Sequence, residues 1–233
     1  MSVSRVIAAT MFCAATATAA SADVTLRLKG SGDMSGSAAE EATEYRKDLK
    51  LRTDSSSNGM SLTTIIDLDA GRMIMLWHHS KTADVIERKQ ISELFSRNNA
   101  PVVRPSITPT AQSRQIAGST CIVHDVKGTY PTRGMDMVPP TMVTQGTMCL
   151  VKNAPGQADF TAFYKAAGEN ASLVDPSLGV PFAMEMTISF KGDEPSSGVM
   201  QWGTYTTEVI SVSTAPIPDS MFEIPADYMV TKR

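Results

Sequence analysis

The sequence has no basic excess. Lys and Arg total 21 against 24 Asp and Glu in 233 residues, a formal net charge of −3. Holding a phosphate backbone requires a positive field, so nucleic acid is excluded as a first partner. Cysteine is scarce, with three residues, none in C-x-x-C spacing and no His/Cys set at zinc spacing. Beyond residue 22 no stretch approaches the roughly 18 consecutive apolar residues of a membrane-spanning helix. The signatures G-x-S-x-G, H-E-x-x-H and G-x-x-x-x-G-K-[ST] are missing. Of the three histidines, adjacent His78 and His79 point to opposite faces of a strand, so at most one of them faces a cleft, and His124 has Asp125 on the opposite face. The chain is read as a non-enzyme without a cofactor. Charged residues are only 19% and hydrophobic residues 42%, which suits a folded domain with a sizeable core.

What is present begins with an address. Residues 1–22 carry one positive charge, Arg5, then a short apolar run ending in Ala20-Ser21-Ala22, the small-x-small pattern of a cleaved secretory signal. The alternative, a membrane anchor, needs a longer and more Leu-rich run. Cys13 lies inside the run without the Leu-small-small approach that lipid attachment uses. Cleavage after Ala22 predicts a periplasmic chain starting at Asp23, a single domain over 23–233 with no transmembrane segment. Two cysteines then remain, Cys121 and Cys149. In an oxidising compartment an even pair reads as one disulfide. It closes a loop of about 29 residues, for which chain entropy gives about 3.5 kcal/mol.

Period-two alternation dominates the rest. Val24, Leu26 and Leu28 share one face. Residues 42–53, with Tyr45, Leu49 and Leu51, read as one strand, and Met60, Leu62, Thr64 and Ile66 as another. Residues 72–78 are apolar in both parities, Met73, Met75 and Trp77 against Ile74 and Leu76, so both faces of that strand are covered or one lines a cavity. Residues 82–88 supply a short hairpin partner. Residues 181–191 place Phe182, Met184, Met186, Ile188 and Phe190 on one face, and with residues 200–213 form a long antiparallel hairpin with a bend at Gly203. Residues 119–127 and 146–152 are strands that each carry a cysteine. Short helices are expected at 90–97 and 159–168, and long Pro-rich loops at 98–113 and 131–140, the first a candidate lid. The predicted fold is mainly β: a curved antiparallel sheet forming an incomplete barrel, with one or two short helices over its open side.

Two constellations carry candidate chemistry. Fifteen methionines include the pairs Met73/Met75, Met135/Met137 and Met184/Met186. Thioethers with imidazole suit copper(I), and Met135, Met137, His78 and His79 are the candidate ligands of that alternative. Methionine also serves as an adaptable apolar surface. Read that way, Met73, Met75 and Trp77 together with Phe182, Met184, Met186, Ile188 and Phe190 form the wall of a hydrophobic ligand site. A fully packed core, in a structural or protein-interaction module, is the third alternative.

The order of elements also carries a resemblance. D-V-T-L-R-L-K-G at the start of the mature chain is followed by T-E-Y-R-K-D-L-K-L-R-T-D and T-T-I-I-D-L-D-A-G-R-M-I-M-L. Later come I-A-G-S-T-C, G-V-P, and T-E-V-I-S-V-S with a closing I-P-D-S-M-F-E-I-P-A-D-Y. Over 23–231 this resembles a bacterial family of unknown function whose fold is similar to the outer-membrane lipoprotein carriers of the LolA, LolB and LppX type. The resemblance implies a half-barrel plugged by helices, and reversible binding of a lipid or a lipoprotein acyl chain without catalysis. It also implies a transient envelope-protein partner. The cysteine pair departs from the carriers, and no lid residue of theirs maps onto a position here. Relatives with this half-barrel also sense mislocalised lipoproteins, so carrier and sensor both stay open.

Overall fold

A computed structural model describes residues 23–32, 40–57, 59–87, 104–131, 141–167, 175–192 and 199–232. The expected helix at 90–97 and, apart from Pro131, the expected loop at 131–140 lie outside these residues.

The described residues form twelve strands in a single sheet, most of them alternating in apolar residues: β1 (Val24–Gly32), β2 (Glu40–Lys47), β3 (Lys50–Ser57), β4 (Met60–Asp67), β5 (Arg72–Trp77), β6 (Thr82–Glu87), β7 (Ser106–Ile116), β8 (Ser119–Pro131), β9 (Thr141–Val151), β10 (Val180–Lys191), β11 (Val199–Ser213) and β12 (Met229–Lys232). Their order is β12-β6-β5-β4-β3-β2-β1-β11-β10-β9-β8-β7, so the sheet is open, with edges at β12 and β7. Every pairing is antiparallel except β12 with β6. Among the described residues there is one α-helix, α1 (Gln157–Ala167), which follows β9.

Because paired residues share a face, the registers divide the sheet in two. One face carries Leu26, Arg46, Leu51, Ile66, Met73 and Ile86, and continues through Val212 on β11. Helix α1 covers this face near the β2–β3 turn. Phe160 clusters with Val24 and Leu26 and lies under the Arg46 guanidinium, whose centre is 4.7 Å from the ring centroid. It is called the helix face. The opposite face carries Thr25, Tyr45, Arg52, Ile65, Ile74 and Val85. Residues 214–228 cross it as a strap. Ile217 and Phe222 are buried against Ile65, Ile74, Leu76 and Val85, with Tyr45, Met221, Ile224 and Tyr228 at the margin. It is called the strap face.

Polar contacts fasten the strap. The Lys47 ammonium donates to the Ile217 carbonyl at 2.9 Å and pairs with Asp219 at 2.8 Å. Arg52 Nη1 donates to the Met221 carbonyl at 2.6 Å, and the Ile217 amide donates to the Asp23 carboxylate at 2.6 Å.

At the β7 end the sheet curls strongly toward the strap face. Arg114 on β7 reaches Glu208 on β11 at 2.6 Å although β8, β9 and β10 lie between. On a flat sheet four strand spacings would hold those backbones about 19 Å apart. The disulfide Cys121–Cys149 joins β8 to β9 inside this curl, with both cysteines buried.

Three expectations are corrected. Residues 42–53 are two strands: Asp48 adopts a φ of 51° and turns the chain between β2 and β3. Residues 106–113, expected as part of a loop, belong to edge strand β7, where Pro109 is tolerated at a register shift. The four-residue parallel strand β12 has no counterpart in the alternation pattern. The hairpin of β10 with β11 stands, and its bulge falls beside Gly203: Ile188 opposes Gly203 while Ser189 opposes Gln201.

Candidate functional site

The two parities of β5 meet different surroundings. Ile74 and Leu76 are fully buried beneath the strap, as are Ile65, Ala83 and Val85 beside them. Met73, Met75 and Trp77 stand on the helix face and are only half-buried. Their cross-strand neighbours are Ile66, Thr64 and Leu62 on β4 and Ile86, Asp84 and Thr82 on β6. Leu62, Ile66, Ile86 and Leu51 are half-buried too. The helix face over β3–β6 is therefore a semi-exposed apolar strip. Trp77 is held in place by donation from Nε1 to Asp84 Oδ2 at 3.2 Å.

On β10 the expected file of five residues divides between two clusters. Phe182 packs on the helix face with Val24, Leu26, Phe160 and Val209. Met184, Met186, Ile188 and Phe190 continue on the helix face, opposite Met148, Gly146, Thr144 and Met142. Met186 is only 2% exposed and packs with Val126, Met148 and Leu150, with Ile107, Leu178, Met184 and Tyr205 around them. Burial pushes the Tyr205 hydroxyl above its ordinary range, with Tyr130 adding to the shift. Phe190 is buried, and its ring lies 5.1 Å from that of Trp202.

The structure thus brings Met73, Met75, Trp77, Phe182, Met184, Met186, Ile188 and Phe190 onto one face. It does not bring them into one contact set, since β4, β3, β2, β1 and β11 separate β5 from β10. The β10 part is packed and the β5 part is semi-exposed. Leu51, Leu62, Ile66 and Ile86 were missed as neighbours of the strip. Counting pair by pair from Met73 would have found them, once the hairpin turns were placed.

Helix α1 closes the strip at one end. Arg46 pairs with Glu44, and both are largely buried. Tyr164 packs edge-on to Phe160 and Phe163 at 4.7 and 5.4 Å. Burial raises the Tyr164 hydroxyl above its usual range and the Glu44 carboxylate raises it further, against an opposing pull from Arg46. The hollow under the helix, about 10 Å³ between Arg46, Leu51, Phe160, Phe163 and Tyr164, has no room for an acyl chain.

The strap face holds two larger depressions, each of about 470 Å³, and both are lined by polar and apolar groups in about equal measure. One lies inside the curl among Lys29, Gln112, Arg114, Glu185, Thr206 and Glu208. The other lies among Arg27, Glu41, Arg52, Asp54, Ser56 and His78. Its floor is a hydrogen-bond chain. The Thr63 hydroxyl donates to Asp54 Oδ1 at 2.6 Å, so it must accept from His78 Nε2 at 2.8 Å. His78 Nδ1 is then the acceptor for the Tyr228 hydroxyl at 2.6 Å. Arg52 Nε completes the chain on Asp54 at 2.8 Å.

This occupies both ring nitrogens of His78, one of the four candidate copper ligands. His79 lies edge-on to Trp77 at 6.4 Å, and Met135 and Met137 are outside the described residues. Among the described residues no group of three or more His, Cys, Asp or Glu is placed to hold a metal ion. No described helix is long and apolar enough to cross a membrane.

No protein-family model and no curated protein matches the chain. Similar solved structures include an uncharacterized conserved protein of Thermus thermophilus, at a TM-score of 0.45 and 10% identity over 92% of both chains. The lipoprotein LppX of Mycobacterium tuberculosis is similar at a TM-score of 0.34 and 11% identity, over 83% of this chain and 88% of that one. At these identities the likeness is one of fold alone.

Proposed function

We propose that the protein binds a lipid or acyl chain on the helix face, along the apolar strip of β3–β6, without catalysis and as a carrier or sensor in the bacterial envelope. The observation that carries this reading is the split in β5. The same strand has one apolar parity fully sealed by the strap and a second, Met73, Met75 and Trp77, left half-covered. A packed module has no use for the second. Methionine suits a ligand of variable shape because its side chain is unbranched and polarizable. Each buried methylene contributes about 0.8 kcal/mol, so covering about ten of them corresponds to roughly micromolar affinity before ordering costs. The buried disulfide supports an oxidising compartment.

The test is organic extraction of protein exported to the periplasm, followed by mass spectrometry, with titration of a fluorescent fatty acid alongside. Wild type should retain lipid or bind the probe, and Met75→Glu should lose both while keeping its fold. Met186→Glu is the wrong probe, because Met186 is buried in a packed cluster and the charge would unfold it. Failure of wild type to retain lipid and to bind the probe overturns the proposal in favour of a packed interaction module.

A further inference from the structure

Three large apolar side chains are the most exposed of their kind among the described residues: Met229 at 67%, Met60 at 64% and Trp202 at 55%. The registers place all three at the same end of the strands. Helix α1 sits at the other end, over the β2–β3 turn. Met60 opens β4 at the β3–β4 turn. Met229 opens β12 beside Thr82, where β6 begins, and its amide donates to the Lys81 carbonyl. Trp202 lies near the start of β11, three residues before Tyr205, which pairs with the last residue of β1.

Trp202 is also the extra residue of a bulge, since Gly203 pairs with Ile188 and Gln201 with Ser189. Bulges re-aim a side chain. Here the indole is turned out while its ring stays 5.1 Å from Phe190. The apolar file of β10 on the helix face therefore ends in an exposed indole.

The geometry points to this end of the sheet resting on the surface of a lipid bilayer, with Trp202, Met60 and Met229 as its apolar anchors. Their spacing selects a bilayer over a protein. Met229 and Met60 are three strands apart and Met60 and Trp202 four, so the anchors span eight of twelve strands without forming one patch. A protein hot spot is a contiguous, desolvated cluster, whereas a bilayer interface accepts separate anchors and favours Trp at the level of the headgroups. Charge selects the lipid. The chain carries −3, and Lys81, beside Met229, is neutralised by Asp227 at 2.6 Å. Docking is therefore apolar and suits zwitterionic lipid. Its use, exchange of a ligand with the membrane, rests on the function proposed above, but the docking itself does not.

The chain's two tryptophans, Trp77 and Trp202, let one experiment separate the two claims. In Trp77→Phe the sole indole is Trp202. Vesicles of phosphatidylcholine brominated near the headgroup should quench it and shift its emission to the blue, and the protein should sediment with the vesicles at both low and high salt. Trp202→Ser with Met60→Ser should weaken vesicle binding about tenfold or more. In Trp202→Phe the sole indole is Trp77, which reports ligand binding from soluble fatty acid with no vesicles present. Vesicle docking without a Trp77 response keeps this inference and sinks the ligand site, and the reverse keeps the site and sinks the docking. Binding confined to anionic vesicles and abolished by salt overturns apolar docking. Self-association in the absence of lipid, relieved by Trp202→Ser, assigns the surface to a second copy of the chain and overturns it too.

Discussion

The Thr63 hydroxyl lies 2.6 Å from Asp54 Oδ1 and 2.8 Å from His78 Nε2, in a residue with no exposed surface. It is the joint of a chain that runs from Tyr228 on the strap to Arg52 on β3. Thr63→Val preserves shape and removes both bonds, leaving Asp54 and His78 each short of a partner at a partly buried site. The expected loss is about 1–3 kcal/mol in chemical denaturation. Tyr228→Phe removes only the outer bond and should cost about 1 kcal/mol or less. Equal costs for the two variants would mean that the chain does not act as a unit.

Leu76 and Met75 are neighbours in β5 and should separate stability from binding. Leu76 is fully buried under the strap, so Leu76→Ala should cost about 2–5 kcal/mol and leave probe affinity in the folded fraction unchanged. Met75→Ala should cost less, because the side chain is half-exposed, and should weaken fatty-acid binding. A Met75→Ala protein with wild-type probe affinity would move the ligand off β5.

Gly146 on β9 permits a close approach to β10. A Cβ placed there would stand 1.9 Å from the Glu185 carbonyl oxygen and 2.9 Å from the Cα of Met186. Both are backbone atoms that cannot swing aside. Gly146→Ala must push β9 and β10 apart next to the Met186 cluster, and should destabilise by about 1–3 kcal/mol or more. Gly59, with φ of 77° and open space around its Cα, should also resist Ala, but through backbone strain alone. A thermal shift for Gly59→Ala as large as that for Gly146→Ala would contradict the packing account.

Much of the fold is written in local alternation, and what alternation hides is where register changes. The parity of 182–190 is unbroken in sequence and keeps one face, yet Phe182 packs under α1 with Val24 and Leu26 while Met186 packs with Val126 and Met148. Tyr45 and Leu51 share a parity, yet the turn at Asp48 sends them to opposite faces. The apolar strip was legible as residues but not as a face. Ile74 and Leu76 are the sealed parity only because residues 217–224, more than a hundred positions away, lie over them. Nothing local marks β12 as a strand either, since its four residues are ordered by a parallel partner in β6. The cysteine pair was fully legible because a single even pair leaves one connectivity.

The disulfide ties β8 to β9 where the sheet curls most, close to the β7 edge. Replacing both cysteines by Ser should lower stability by about 2–4 kcal/mol, mainly by freeing the unfolded chain. The oxidised protein should be two hydrogens lighter than the reduced one by intact mass. Both thiols should resist maleimide before reduction and unfolding. Ready labelling of the native protein would show that the bond does not form.

The strap should loosen in acid. Asp219 and Asp227 are held below the ordinary carboxylate range chiefly by hydrogen bonds from Lys47 and Lys81, and the two ammonium groups are raised in turn by the same bonds. A depressed carboxylate contributes stability at pH values above its unfolded range and loses it as pH falls through its folded value. A raised ammonium contributes below its unfolded range and loses it only as pH rises into the strongly alkaline region. Both bridges are therefore fully formed from about pH 5 to about pH 9, and fail first on the acid side. Asp219, Asp227 and Lys81 sit in solvent, where salt screens both bridges, so the effect is local. Hydrogen exchange should show it at amides bonded within the strap or from it to the sheet, Met221 to Pro218, Tyr228 to Pro225 and Met229 to Lys81. After correction for intrinsic rates, their protection should fall below about pH 4, while amides of β4 and β5 hold. Lys81→Gln should flatten the response at Met229 and spare Met221, which stands near the Lys47 bridge. If strap and sheet amides lose protection together, the strap is part of the global unfolding unit and the two bridges have no separate role.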